Sequence, residues 1–359
     1  MIKEYTALGL MSGTSADGID ASIIRSDGKN KCDVILNKYF EYDKKTQKDI
    51  YELRNRINNP KDLKDLRDEI DKFEKNITSF HASVVNNFTK QNIDLVGFHG
   101  QTIYHNGKER ISKQLGDGKF LSQITKKNIV YNFRKNDLDN DGEGAPLTPI
   151  FHKLLVNQKK ISLPVTILNI GGIANATSIN AEDKMLSSDI GPGNCLIDQW
   201  IRINSKKSYD DKGRIAQSGS INKIILNQSL KNFYNNDVSG KKSYDTNDFD
   251  LSFIKGLSLE NGAATLTEYT ADICSKKLIN RNIYLSGGGR KNTFLIERIK
   301  KKIVYKIRLI DHIGINGDFI ESQAFAYLAI RSFLKLPISF PETTGCIKPC
   351  TGGVIVKNY

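Results

Sequence analysis

Apolar residues open this chain in short runs separated by polar, glycine-containing turns. Tyr5 to Met11, Ile19 to Ser26 and Cys32 to Phe40 each read as a β-strand. Between the first two lies Met11-Ser12-Gly13-Thr14-Ser15-Ala16-Asp17-Gly18-Ile19-Asp20, which the flanking runs make the tight turn of a hairpin. The period then changes. Leu63, Leu66, Ile70, Phe73, Ile77, Phe80 and Val84 recur at alternating spacings of three and four, with Lys, Asp and Glu between them. That pattern predicts an amphipathic helix whose charged face is solvated. A short strand, Asp94 to Phe98, follows and carries His99-Gly100-Gln101-Thr102 at its end.

A second set begins after Pro146 and Pro149. Val165 to Ile170 is an apolar strand that runs into Gly171-Gly172, and Ala174 to Ile179 returns from it. Strand, glycine turn, strand repeats the opening plan about 150 residues later. Asn282 to Ser286 is a strand ending in Gly287-Gly288-Gly289, with a helix expected over Asn292 to Lys302. The last long helix is expected over Asp318 to Leu334, and a short strand, Gly353 to Val356, to close the second half. The expected division is therefore residues 1–150 and residues 151–359, a size that suits two ordinary domains.

Composition narrows the class. Of 359 residues, 39% are hydrophobic and 8 are prolines, as in a globular protein. The net charge of +13 suits an anionic partner, but the lysines are scattered and no aromatic residues interleave with them in a groove-like stripe. Nucleic acid is therefore not expected as a partner; the positive field suits small anionic ligands. No run approaches the ~18 apolar residues of a membrane span, and no signal peptide is visible, so a cytoplasmic location is expected. Cys32, Cys195, Cys274, Cys346 and Cys350 are dispersed and odd in number, and no histidine follows the last two at zinc-site spacing. No structural metal is expected.

The candidate chemistry sits on the glycine turns. Gly13 and Gly18 permit backbone conformations that a Cβ resists. Thr14 and Ser15 supply hydroxyls, Ala16 and Ile19 lie among them, and Asp17 and Asp20 supply carboxylates. Exposed amides, hydroxyls and carboxylates in one turn suit a phosphate chain with its Mg²⁺. Gly171-Gly172 could clamp the same chain from a second half, and Gly287-Gly288-Gly289 with Arg290 and Asn292 could wrap an adenosine. His99, Gln101 and Thr102 either recognise sugar hydroxyls or form a polar strand end with satisfied hydrogen bonds. Arg134, in the polar loop from Asn132 to Pro146, suits a bidentate carboxylate contact or is a plain surface arginine. Asp189-Ile190-Gly191-Pro192-Gly193-Asn194 fixes a turn that holds Asp189 at a strand end, as a general base or an ordinary turn aspartate. Asp198, on the helix that follows, is a candidate supporting acid.

Together these segments resemble the anhydro-N-acetylmuramic acid kinases. The matching residues are Gly9-Leu10-Met11-Ser12-Gly13-Thr14-Ser15 with Asp17-Gly18 and Asp20; His99-Gly100-Gln101-Thr102 with His105; and Phe133-Arg134 with Gly144-Ala145-Pro146. Asn169-Ile170-Gly171-Gly172-Ile173-Ala174-Asn175, Asp189 with Gly191-Pro192-Gly193-Asn194, and Ser286 to Gly289 with Asn292 complete the set, in family order. The resemblance implies an α/β fold of two ribonuclease-H-like, actin-like ATPase domains with ATP in the cleft between them. It implies a kinase that uses ATP and Mg²⁺ to convert 1,6-anhydro-N-acetylmuramic acid into N-acetylmuramic acid 6-phosphate in cell-wall recycling.

By the same resemblance, Asp189 is the base that activates water. Gly13, Thr14, Ser15, Ala16, Asp17, Gly18, Ile19, Asp20, Gly171, Gly172, Gly287 and Gly288 contact ATP, and His99, Gln101, Thr102 and Arg134 contact sugar. The Mg²⁺ ligands and the oligomeric state stay unassigned, with a homodimer as one candidate assembly. Three positions depart from the family pattern: Ile190 stands for a usual Thr, Ser239-Gly240-Lys241-Lys242-Ser243 for a Gly-Arg-Glu, and Asn261 for an acidic residue. Two rivals remain: another sugar kinase of the superfamily that acts on a free hydroxyl, and an actin-like ATPase that drives partner binding.

Overall fold

The computed structural model describes residues 3–236, 243–278, 280 and 282–358. It divides the chain into two compact units, one formed by Met1–Ile161 with Asp318–Tyr359 and the other by Ser162–Gly317.

The first unit holds a seven-stranded sheet. β1 (Tyr5–Ser12) pairs antiparallel with β2 (Gly18–Ser26), and β2 with β3 (Cys32–Glu41). β4 (Leu95–Asn106) lies parallel to β1, and β6 (Ile129–Tyr131) parallel to β4. β5 (Ile111–Leu115) pairs with the far half of β4. Helices Lys44–Asn55 and Arg67–Asn86 bury Ile50, Leu53, Ile70, Ile77, Val84 and Val85 among the β1 and β2 side chains. The expected amphipathic helix is broken at Leu66, with Leu63 on the short preceding helix Pro60–Asp65, which Asn59 and Asp62 cap as a box.

The second unit holds a five-stranded sheet. β7 (Val165–Ile170), β8 (Ile173–Ile179) and β9 (Met185–Pro192) form an antiparallel meander. β10 (Asn282–Ser286) is parallel to β7, and β11 (Lys306–Leu309) to β10. Its core gathers Leu168, Ile170, Trp200, Leu266, Ile273, Leu285 and Ile299 from the sheet and the helices Cys195–Asn204, Leu259–Lys276 and Thr293–Lys300. The paths β3-β2-β1-β4-β6 and β9-β8-β7-β10-β11 are the same: a three-stranded meander, then two parallel strands reached by crossovers. This is the ribonuclease-H-like arrangement, built twice, as in the actin-like ATPases.

Three expectations need correction. The chain does not divide into residues 1–150 and 151–359, because the segment after residue 317 returns to the first unit. The physical reason is close packing of the helix Ile320–Phe333 on the first sheet. A Cβ on Gly9 would fall 1.9 Å from the Ser322 carbonyl oxygen, and one on Gly97 would fall 2.3 Å from that of Phe325, so only glycine admits the helix backbone here. Next, the C-terminal strand, β12 (Val354–Val356), closes the first sheet against β6 and not the second half. Finally, His99 to Thr102 lie within β4 and not past its end, because β5 takes over as that strand's partner from Gln101 onward.

Candidate active site

In the first unit the hairpin turn is held from below. Ala16 N–H donates to Gly13 O at 3.1 Å, which closes the turn with Ala16 at φ +47°. The Ser12 hydroxyl donates to Gln101 Oε1 at 2.5 Å, and Gln101 Nε2 donates to Gly13 O at 3.0 Å. Arg54 donates to Thr14 O at 2.8 Å and the Tyr51 hydroxyl to Ser15 O, so the helix Lys44–Asn55 buttresses the outer side. Ser15 and Asp17 are exposed, with the hydroxyl donating to Asp17 Oδ1 at 2.7 Å. Ala16 and Ile19 bury their side chains completely in the core, so only their backbone can meet a ligand.

Gln101 is likewise fully buried, and its carboxamide fixes the hairpin from inside. His99, on the same strand, is buried as well. Arg134 Nη2 donates to His99 Nε2 at 2.9 Å, which leaves the ring proton on Nδ1, where it is donated to Gly100 O at 2.8 Å. Burial, and then the Arg134 guanidinium, hold the His99 imidazole well below its ordinary pKa, so it is neutral. Arg134 Nη1 also donates to Gly144 O at 2.7 Å. Asp137, buried, accepts from Gly144 N–H at 2.7 Å and from the Thr344 hydroxyl at 2.6 Å, which shapes the loop that Arg134 grips.

Beside His99 opens a cavity of about 270 Å³. Lys113, Gln114, Ser112, Asn132, Glu74 and the Tyr131 ring line it with polar groups around an aromatic face. Glu74 accepts from Lys113 Nζ at 2.8 Å and from Gly116 N–H at 2.9 Å, and Gln114 donates to Thr102 Oγ1 at 3.3 Å. Asn132 adopts φ +56°, a left-handed conformation that asparagine tolerates better than most residues and that is common at ligand sites.

In the second unit the glycine turns stack around β7. Gly193 and Cys195 N–H donate to Gly172 O at 2.9 and 3.1 Å, and Asn194 N–H to Gly171 O at 2.8 Å. Gly287 sits at φ +77°, and a Cβ there would lie 2.5 Å from Asn169 Oδ1, so the position excludes other residues. Nothing lies within 4 Å of a Cβ on Gly288, which leaves that backbone open to a ligand. Arg290 is buried and forms a two-pronged pair with Asp311, at 2.8 and 3.0 Å, while Nη1 donates to Gly287 O at 3.0 Å. The same guanidinium holds the Asp311 carboxyl below its usual range.

Asp189 is buried on β9, and its Oδ2 accepts from Tyr244 N–H at 2.8 Å. Across the sheet it stands opposite Asn175, which stands opposite Asn169, which stands beside Ser286. Directly paired residues share a face, so four polar side chains form one row across four strands. The Ser286 hydroxyl donates to Asn169 Oδ1 at 3.3 Å. Ile190 is the extra residue of a β-bulge between the Ala174–Gly191 and Asn175–Asp189 pairs, and its side chain enters the core. The departure at this position therefore lies beneath the site. Asn261 Oδ1 accepts from Ser220 N–H at 2.8 Å, a local loop contact. Residues 239–242 of the third departure, Lys241-Lys242 included, lie outside the described residues.

The structure thus brings Gly13 to Asp20 together with Gln101, and His99 with Arg134. In the second unit it brings Asp189 opposite Asn175, Gly193 to Cys195 against the Gly171-Gly172 turn, and Gly287 beside Asn169. Sequence reasoning did not assign Asp137, Lys113, Gln114 or Asp311 a role. Their significance comes from partners 7 to 207 residues away in the chain, and no local spacing announces it.

Among solved structures, component A of the (R)-2-hydroxyglutaryl-CoA dehydratase of Acidaminococcus fermentans aligns over 92% of this chain and 100% of its own. Its TM-score is 0.45 at 11% identity. The anhydro-N-acetylmuramic acid kinase of Pelagibacter ubique (strain HTCC1062) is 52% identical over 379 aligned positions, covering 100% of both chains. That of Zymomonas mobilis subsp. mobilis is 36% identical over 97% of this chain and 99% of its own. The family model described as anhydro-N-acetylmuramic acid kinase matches residues 5–358. On this full-length agreement, the chain belongs to the anhydro-N-acetylmuramic acid kinase family.

Proposed function

We propose that this protein is an ATP-dependent kinase that opens 1,6-anhydro-N-acetylmuramic acid to N-acetylmuramic acid 6-phosphate, with Asp189 as the base. The carrying observation is the buried Asp189, held by Tyr244 N–H at the end of a polar row beside two glycine turns. In the anhydro sugar, O6 is tied to C1 as an ether, so phosphorylation requires that this bond break. Water attacks C1 as Asp189 takes its proton, the C1–O6 bond opens, O6 takes the γ-phosphoryl group and ADP leaves. Such a transfer is mostly positioning and charge neutralisation.

The hairpin from Gly13 to Asp20 and the turns Gly171-Gly172 and Gly287-Gly288 are proposed to hold the nucleotide. Mg²⁺ would neutralise the phosphates when bound. The exposed Asp17 and the half-buried Asp20 offer the hard oxygen ligands it prefers. Among the described residues no three His, Cys, Asp or Glu cluster as a metal cage, which fits an ion that draws most ligands from phosphate and water.

The cavity beside His99 is proposed to take the sugar, with Asn132 and Gln114 at its polar wall and Thr102 behind it as an acceptor of Gln114. Arg134 and Gln101 act there chiefly by fixing His99 and the hairpin. No helix among the described residues is long and apolar enough to cross a membrane. A cytoplasmic homodimer without a nucleic-acid partner, working in cell-wall recycling, completes the proposal.

Mass spectrometry tests it after incubation with ATP, Mg²⁺ and the anhydro sugar. A product that carries one phosphate and one water supports ring opening. Phosphate without water would establish a free-hydroxyl kinase, and ATP turnover indifferent to sugar would establish the partner-driven ATPase.

A further inference from the structure

The polar row of the second sheet contains a side chain that the proposed chemistry has not used. Asn175 lies on β8 directly opposite Asp189, and the bulge at Ile190 re-sets the pleat so that these two residues face each other. Directly opposed residues of an antiparallel pair have Cβ atoms roughly 4.5–5.5 Å apart, which leaves room for one small molecule between their polar ends. Asn175 Oδ1 is buried and accepts no hydrogen bond from the described protein. A buried acceptor left in this condition calls for a donor. Its neighbour across the strand is a second acceptor, the Asp189 carboxylate. A carboxylate accepts several hydrogen bonds, so beside the Tyr244 N–H it can take another, and a water spans it and Asn175 Oδ1 with its two O–H bonds.

Resting on the function proposed above, we infer that Asn175 positions the attacking water. One water O–H points to Asp189 and the other to Asn175 Oδ1, which turns an oxygen lone pair toward C1. The proton passed on attack goes to Asp189. The proton held by Asn175 stays on the oxygen and becomes part of the new C1 hydroxyl, while the C1–O6 electron pair goes to O6 as it takes the phosphoryl group. Asn175 exchanges no proton, so its role is orientation, and an acceptor oxygen at this position is what matters.

Two variants of the full-length protein separate this role from a structural one. Asn175→Ala is expected to lower kcat by about 30- to 100-fold, a range within that of other oriented groups. KM for both ATP and the sugar should stay within about twofold, and Tm should be unchanged, because no hydrogen bond to Oδ1 is lost. Asn175→Asp keeps an acceptor in place and is expected to recover kcat to within about tenfold of wild type. The second carboxylate beside Asp189 should also move the acid limb of the pH profile to higher pH. A kcat for Asn175→Ala within threefold of wild type would overturn the inference. So would a loss confined to KM, or an Asn175→Asp variant as slow as Asn175→Ala at every pH. Wild-type protein that folds but yields no phosphorylated, hydrated sugar would overturn the proposed function together with this inference, and that control is read first.

Discussion

Asp189, Gln101 and His99 show how differently three polar residues can act. Asp189 ends a polar row, and removing its charge should lower kcat by roughly 10²- to 10⁴-fold. Steady-state assays of Asp189→Asn at unchanged Tm check this. Gln101 ties Ser12 to Gly13 from a fully buried position. Asn169→Ala and Gln101→Ala therefore part company. The first removes an acceptor of Ser286 beside the Gly287 turn, whereas the second removes two hairpin hydrogen bonds, leaves Ser12 only Gly18 O and Gly13 O only Ala16 N–H, and should lose about 1–3 kcal/mol of stability. Denaturant midpoints of the two variants measure the difference. His99 is held neutral by burial and by Arg134, so Arg134→Ala should free its Nε2 and misplace the Gly144 loop. The residue types were legible in the sequence. Which of them would face a ligand and which would serve the hairpin was not, because their partners lie up to 117 residues away.

At the scale of elements, the glycine turns work because other elements clamp them. Arg290 and Asp311 hold the turn after β10 through a two-pronged pair and the Gly287 carbonyl. Asp311→Ala leaves the buried guanidinium without that carboxylate, and KM for ATP should rise about tenfold with a smaller change in KM for sugar. Initial rates at varied ATP read this directly. The helix Ile320–Phe333 is clamped in the opposite sense, against the Gly9 and Gly97 backbone. Gly9→Val forces the helix off the sheet, a strain of about 1–3 kcal/mol or more, visible as a lower Tm. The hydrophobic period placed β1, β2, β3, β7, β8, β10 and that helix, but gave no range for β5, β6, β9 or β11. It could not say that β4 continues through His99 to Asn106, since pairing with β5 is a tertiary fact.

For the whole molecule, three histidines bear on acid stability. His81, His99 and His152 are buried, and burial pushes His81 and His152 down to about 4 and His99 well below its ordinary value. The unfolded chain binds protons at these positions near pH 6.5 and the folded chain does not. Their contribution is therefore complete above about pH 6.5 and is lost as pH falls toward 4, by up to about 1.4 kcal/mol per pH unit for each. Urea unfolding at pH 7.5, 6 and 5 should show the decline. Ending the chain at residue 317 should unfold the first unit, since it removes the helix Ile320–Phe333 from its sheet. Loss of β-sheet circular dichroism and rapid proteolysis of residues 3–161 would register this.

By itself the sequence determined the two hairpins, the three glycine turns, the absence of a long apolar span and the family to which the motifs belong. These properties depend on neighbours in the chain, on period and on turn chemistry. Only the tertiary structure decided where the C-terminal segment belongs, because a helix settles where a sheet offers bare glycine backbone, and that is a matter of surfaces. Only the tertiary structure set Asn169, Asn175, Asp189 and Ser286 in one row. Strand register brings residues far apart in the chain to a common face, and no pattern within a single strand encodes which partner it will meet.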